Sequence, residues 1–139
     1  MRAHLAYVGN MKFRVQAEDR PAITLHSADE GETPEGPSPM QTALLAAMAC
    51  TAGDVVSILE KERVPLAGLE IEAEAERAPK TPRVLTKVHL HYKIRGDGIP
   101  KPSVERAIAL STEKYCSVGI MLRRGGVEWL NTYEILPSR

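Results

Sequence analysis

Hydrophobic and polar residues change their period several times along the chain, and each change marks a predicted element. Residues 2–8 and 11–17 read as two short strands around a turn at Gly9-Asn10, with Ala22–His26 as a third. Residues 27–39 hold Gly, Pro, Ser and acids without an apolar run, which is a loop. The loop ends in a helix start, with Ser38 as N-cap and Pro39 at the first helical position. Over residues 39–62, Met40, Leu44, Ala47, Met48, Thr51, Val55, Ile58 and Leu59 fall on one stripe. The opposite face carries only small residues: Ala43, Ala46, Cys50, Gly53 and Ser57. A helix apolar on one side and small on the other is expected to be buried nearly all round. Charge returns at Glu60-Lys61-Glu62-Arg63, and Pro65 prevents the helix from continuing.

A period of two follows. Leu69, Ile71, Ala73 and Ala75 alternate with Glu70, Glu72, Glu74 and Glu76, and Val88, Leu90, Tyr92 and Ile94 alternate with Lys87, His89, His91 and Lys93. Each strand has one buried and one wet face, as in an antiparallel sheet covered on one side. The Glu row beside the Lys/His row predicts cross-strand charge pairing. Residues 96–101 break the pattern, and a second helix starts near Pro102-Ser103 with Val104, Ala107, Ile108 and Ser111 on its inner face. It falters at Tyr115-Cys116-Ser117. A short helix to about Arg123, a turn at Arg124-Gly125-Gly126 and a last strand over 127–136 complete the chain. The order β-β-β-α-β-β-α-α-β predicts one α+β domain over residues 1–139.

A chain of 139 residues can bury a core without staples. Lys plus Arg and Asp plus Glu are both 18, so net charge is zero, which argues against a nucleic-acid partner. Aromatic residues make up only 4%, too few for a base-stacking platform. The first ten residues lack the apolar core of a signal peptide. Met40–Leu59 is the candidate membrane span, but Gln41, Gly53 and Asp54 dilute it, so a core helix and no membrane partner are expected. Two Cys make no disulfide scaffold, and a reducing cytoplasm is the expected location.

Those two thiols are the candidate chemistry. Cys50 sits mid-helix, where a thiol packs as a small hydrophobe unless a neighbouring cation activates it. Cys116 lies at a helix break, beside a helix N-terminus whose amides would favour a thiolate. Thiols so far apart in sequence can cycle with a disulfide only if the fold brings their Cα atoms within about 7 Å. His89 and His91 point to the wet face with Lys87 and Lys93, so a solvated face rather than a metal clip is expected there. His4 and His26 have no visible partners. No Gly-rich phosphate loop opens a helix, and Ser57 and Ser111 lack a nucleophile setting, so no cofactor and no serine chemistry are expected.

The stretch from Gly36 through Pro39-Met40-Gln41 to Cys50-Thr51, with Asp54-Val55-Val56 behind it, resembles the central helix of the OsmC/Ohr family of osmotically inducible and organic-hydroperoxide-resistance proteins. The stretch Val104–Ala107 through Leu110-Ser111 to Tyr115-Cys116-Ser117-Val118 resembles that family's second cysteine segment, and its wording is nearer to the YhfA-like branch than to the peroxidases. The resemblance covers nearly the whole chain. It implies antiparallel sheets packed on a long central helix and an intertwined homodimer. It also implies reduction of organic hydroperoxides, with Cys50 as peroxidatic thiolate, Cys116 as resolving thiol and an external dithiol as reductant. In the family's peroxidases an arginine lies near the thiolate and a glutamate early in the central helix orients it. Here Met40 and Gln41 stand where the glutamate falls, and the arginine maps onto Arg14, with Lys12 as rival. A second reading is a non-catalytic dimer that binds or senses a small apolar or electrophilic ligand.

Overall fold

The structure, a computed structural model, describes residues 1–139. Its contacts divide the chain into two compact units, Met1–Leu45 and Ala46–Arg139. In the first unit, β1 (Ala3–Gly9), β2 (Lys12–Ala17) and β3 (Ile23–His26) form an antiparallel sheet in that order. Gly9, Asn10 and Met11 all have positive φ (94°, 51° and 56°), so the β1–β2 turn draws on the tolerance of Gly and Asn for left-handed backbone. The loop after β3 returns along it: the His26 N–H donates to the Pro37 carbonyl at 3.0 Å. Gly36 lies so close to β3 that a Cβ there would stand 2.1 Å from the Thr24 carbonyl oxygen. His26 does find a partner. Its ring is buried, and its Nδ1 accepts the Glu35 N–H at 3.0 Å.

Helix α1 (Pro39–Lys61) begins in this unit and continues into the second. Its start is a reciprocal capping box: the Gln41 N–H donates to Ser38 Oγ at 3.2 Å, and the Ser38 N–H donates to Gln41 Oε1 at 2.9 Å. Its end is fixed by Arg63 at φ 58° and a 3.0 Å bond from the Val64 N–H to the Leu59 carbonyl.

The second unit holds β4 (Gly68–Arg77), β5 (Leu85–Arg95) and β6 (Glu128–Leu136) in that sheet order. Between β5 and β6 run α2 (Lys101–Leu110), a π-helical turn over Ser111–Tyr115, and α3 (Ser117–Arg124). The α+β class stands, with one difference: β5 and β6 pair in parallel, so this sheet is mixed. A parallel neighbour needs a long crossover, and α2 and α3 supply it. The β4–β5 register sets Glu70, Glu72, Glu74 and Glu76 opposite Lys93, His91, His89 and Lys87. Lys93 Nζ reaches Glu72 Oε1 at 2.5 Å, a diagonal pair.

Burial is concentrated on β5. Val88, Leu90, Tyr92 and Ile94 are all 0% exposed, and each such side chain stabilises the fold by about 2 kcal/mol relative to exposure. Ala47, Thr51, Val55 and Leu59 of α1, together with Val104, Ala107 and Ile108 of α2, are buried as well. Two expectations are corrected. Only the i, i+4 row from Ala47 to Leu59 of α1 is buried, and Leu45, Ala46, Ala49 and Gly53 are exposed, because one chain gives its second face no covering layer. Likewise Leu69, Ile71 and Ala73 are only half-buried and Ala75 is exposed, since β4 is an edge strand. By length and composition α1 could also cross a membrane, but Thr51 and Asp54 turn polar groups from it into the unit's interior.

Candidate functional site: two thiols and a carboxylate

Cys50 and Asp54 stand one helical turn apart on α1, and so share a face. Cys116 occupies the junction between the π-helical turn and α3. The wide turn is closed by the Cys116 N–H donating to the Ser111 carbonyl at 2.8 Å, five residues back. These elements bring the two sulfurs and a carboxylate oxygen of Asp54 within 4.8 Å of one another. Both cysteines are free thiols; Cys50 is half-buried and Cys116 is 2% exposed.

Cys116 is the N-cap of α3, and the Gly119 N–H donates to its Sγ at 3.3 Å. Gly119 makes that approach possible, because a Cβ there would meet the sulfur at 3.0 Å. The expected amide contact is present. Burial nevertheless dominates and pushes the Cys116 thiol up to about 11; the Gly119 N–H opposes it, while Cys50 and Asp54 push the same way. No cation takes part in that balance.

Behind the thiols runs a chain of hydrogen bonds that the sequence did not announce. Ser111 Oγ, fully buried, donates to Asp54 Oδ2 at 2.9 Å and lies 2.7 Å from Thr51 Oγ1. Thr51 Oγ1 lies 3.1 Å from the Tyr92 hydroxyl, which donates to Asn131 Oδ1 at 3.3 Å. Asn131 Nδ2 donates to Thr112 Oγ1 at 2.8 Å, and Arg123 donates to the Thr112 carbonyl. Thr51 and Ser111 read as inner-face residues of their helices. Their shared hydroxyl contact follows only from the packing of α1 against the turn after α2. A cleft of about 290 Å³ opens at Asp54, lined also by Ser57, Ile58, Lys61, Leu110 and Tyr115.

The remaining candidates have partners of their own. Arg14, on β2, donates to Thr24 Oγ1 at 3.0 Å and has no carboxylate partner, whereas Lys12 is paired with Glu35 at 2.6 Å. Gln41 is engaged in the capping box. Cys50, Asp54 and Cys116 are also the donors close enough to hold a metal ion. His89 Nε2 and His91 Nδ1 instead share Thr132 Oγ1, at 2.7 and 2.8 Å.

Residues 30–129 match the profile of the family described as OsmC-like protein. The chain belongs to this family. The OsmC-like chain is 35% identical to Protein YhfA of Escherichia coli K12 over 138 residues, covering 99% of this chain and all of YhfA. Among solved structures, a hypothetical protein of Aquifex aeolicus superposes with a TM-score of 0.86 at 25% identity, covering 98% of this chain and 96% of that one. An organic hydroperoxide resistance protein OsmC of Legionella pneumophila superposes with a TM-score of 0.69 at 17% identity, covering 96% and 95%. At that identity the likeness is one of fold.

Proposed function

We propose that this OsmC-like protein, one domain over residues 1–139, is a cytoplasmic thiol peroxidase for organic hydroperoxides that serves oxidative-stress defence. The observation that carries the reading is the meeting of Cys50 and Cys116, from separate elements, within 4.8 Å. Cys50 is the attacking sulfur, because it is the more exposed of the two. Its thiolate attacks the distal peroxide oxygen; the S–O bond forms, the O–O bond breaks, and the alkoxide leaves with a proton as alcohol. Cys116 then attacks the sulfenic sulfur, forming the disulfide and releasing water, and an external dithiol restores both thiols. The cleft beside Asp54 offers Ile58, Leu110 and Tyr115 to an alkyl group. The family's cationic role falls to Arg14, whose charge is not already paired as that of Lys12 is. Gln41 takes the family's glutamate position as a neutral hydrogen-bonding group.

A homodimer is part of this reading. Leu5, Tyr7, Val8 and Ile23 on the first sheet, Met11 in its β1–β2 turn, and Leu45 on α1 are 49–61% exposed, more apolar surface than a lone chain usually leaves open. Light scattering at the column peak should give twice the 15.2 kDa chain mass.

The chemistry is tested by counting free thiols over seconds after one equivalent of cumene hydroperoxide, and separately of hydrogen peroxide. Both thiols should be lost, faster with the organic peroxide. Cys50→Ser should abolish consumption, and Cys116→Ser should stop after one turnover. Full consumption by the Cys50 variant overturns the reading. A non-catalytic ligand-binding dimer draws support from an open concavity of about 600 Å³ on the small-residue side of α1, lined by Ala52, Gly53, Val56 and Ser57. Thiols that survive peroxide, together with an apolar ligand that raises Tm, would favour it.

A further inference from the structure

We propose that Asp54 handles the proton of disulfide closure, taking it from the Cys116 thiol as that sulfur attacks Cys50 and returning it to the departing group. For the peroxide reaction this rests on the proposed function. The balance is complete: the S–S bond forms, the S–O bond of the Cys50 sulfenic acid breaks, and hydroxide leaves with the proton from Asp54 as water. The hydroperoxide consumed earlier is the only oxidant.

Three observations support the assignment. The first is position, since the Asp54 carboxylate lies within 4.8 Å of both sulfurs. The second is need: a buried Cys116 thiol with no cation beside it stays protonated near neutrality, so its attack requires a base. The third is the hydrogen-bond chain behind Asp54, which can satisfy the carboxyl group in both protonation states. With Asp54 ionised, Ser111 donates to it, Thr51 donates to Ser111, and Tyr92 can turn its proton from Asn131 Oδ1 to Thr51. With Asp54 protonated, the hydroxyls rotate: Asp54 donates to Ser111, Ser111 to Thr51, Thr51 to Tyr92, and Tyr92 to Asn131 Oδ1. A purely structural aspartate needs one orientation only. Here the terminal amide oxygen of Asn131 accepts the chain's last proton, so Asp54 can gain and lose a proton without orphaning a buried hydroxyl. The ionisable groups around it are Cys50 of α1, Cys116 at α3 and Tyr92 of β5, with Lys61, Glu62 and Tyr115 along the cleft.

The test uses dithiodipyridine, so that no peroxide chemistry enters. One equivalent reacts with the accessible Cys50, releasing one thiopyridone and leaving a mixed disulfide. Cys116 then attacks, closes the protein disulfide and releases the second. The ratio of the second rate to the first reads the closure step. In Asp54→Asn, where the amide oxygen still accepts from Ser111, that ratio should fall about 10²-fold near neutral pH, the usual scale of a lost general base. The gap should narrow as pH rises toward about 11, where Cys116 ionises unaided. A ratio that stays level or increases overturns the proposal, because Asp54 then acts only as a charge opposing the thiolate. Release of only one thiopyridone per chain by the wild type overturns it too. Should the Asn variant fail to fold, the wild-type pH profile carries the test: closure should stay nearly level around neutral pH, and a tenfold rise per pH unit, the signature of Cys116 ionising unaided toward about 11, refutes the assignment. Closure with this probe but indifference to cumene hydroperoxide would sink the peroxidase reading and leave the role of Asp54 standing.

Discussion

Removing the hydroxyl groups that join α1 to β5 should reveal a coupled unit rather than independent bonds. In Tyr92→Phe the ring of a fully buried residue stays and only its hydroxyl is lost, with its contacts to Thr51 at 3.1 Å and Asn131 at 3.3 Å. Thr51 keeps Ser111, and Asn131 keeps its Nδ2 bond to Thr112, while its half-buried Oδ1 loses the Tyr92 proton. One to two net hydrogen bonds then cost about 1–2 kcal/mol. Thr51→Val conserves shape and removes the contacts to Tyr92 and Ser111, for a similar cost of about 1–2 kcal/mol. The Thr51–Tyr92 bond is shared, so the double variant should fall short of the sum by about 1 kcal/mol, within the range found for contacting pairs. At about 3–4 °C per kcal/mol for a chain of this size, each single variant should lower Tm by roughly 3–8 °C. Urea and thermal unfolding at one fixed protein concentration provide the assay, because association alters apparent stability. Additivity within about 0.5 kcal/mol would refute the network as an energetic unit.

Further outcomes follow from other parts of the structure. Ser38→Ala, which opens the capping box of α1, should cost about 1 kcal/mol in urea unfolding. Gln41→Glu keeps that box and puts a carboxylate in a first turn that has none, so it should stabilise the helix by about 0.3–1 kcal/mol, less at high salt. The folded-state pKa of Cys116 is raised, so its contribution to stability is full below the unfolded thiol value near 9 and is lost as pH rises through about 11. Urea midpoints of the wild type should therefore fall across that window more steeply than those of Cys116→Ala. Gly119→Ala should lower Tm and perturb Cys116 labelling, since its Cβ would stand 3.0 Å from the sulfur.

Local pattern carried most of the element list. The period of two fixed which residues of β5 face inward, and the Glu and Lys/His rows do stand opposite one another. Ser38 and Pro39 marked the start of α1, and the faltering at Tyr115-Cys116-Ser117 is a π-helical turn closed by the Cys116 N–H. Such signals are readable because they depend on neighbours within a few residues, and the family resemblance rested on the same stretches. The direction of β6, the shallow burial of α1 and the half-covered face of β4 depend on which layers meet, and no local period encodes that. Gln41 shows what one residue's place in a family motif leaves out: its side chain also closes the helix cap.

The sequence by itself determined the α+β order, the wet and dry faces of the long strands, the helix ends and the two thiols as candidate chemistry. Tertiary structure alone decided that Cys50 and Cys116 meet, that Asp54 meets them, and that Thr51, Tyr92, Ser111 and Asn131 join behind them. The physical reason is range. Propensity, capping and periodicity act over one or two turns, whereas Thr51 behind the thiols meets groups 41 and 60 residues away, and only the packing of α1 against β5 and the turn after α2 brings them into contact.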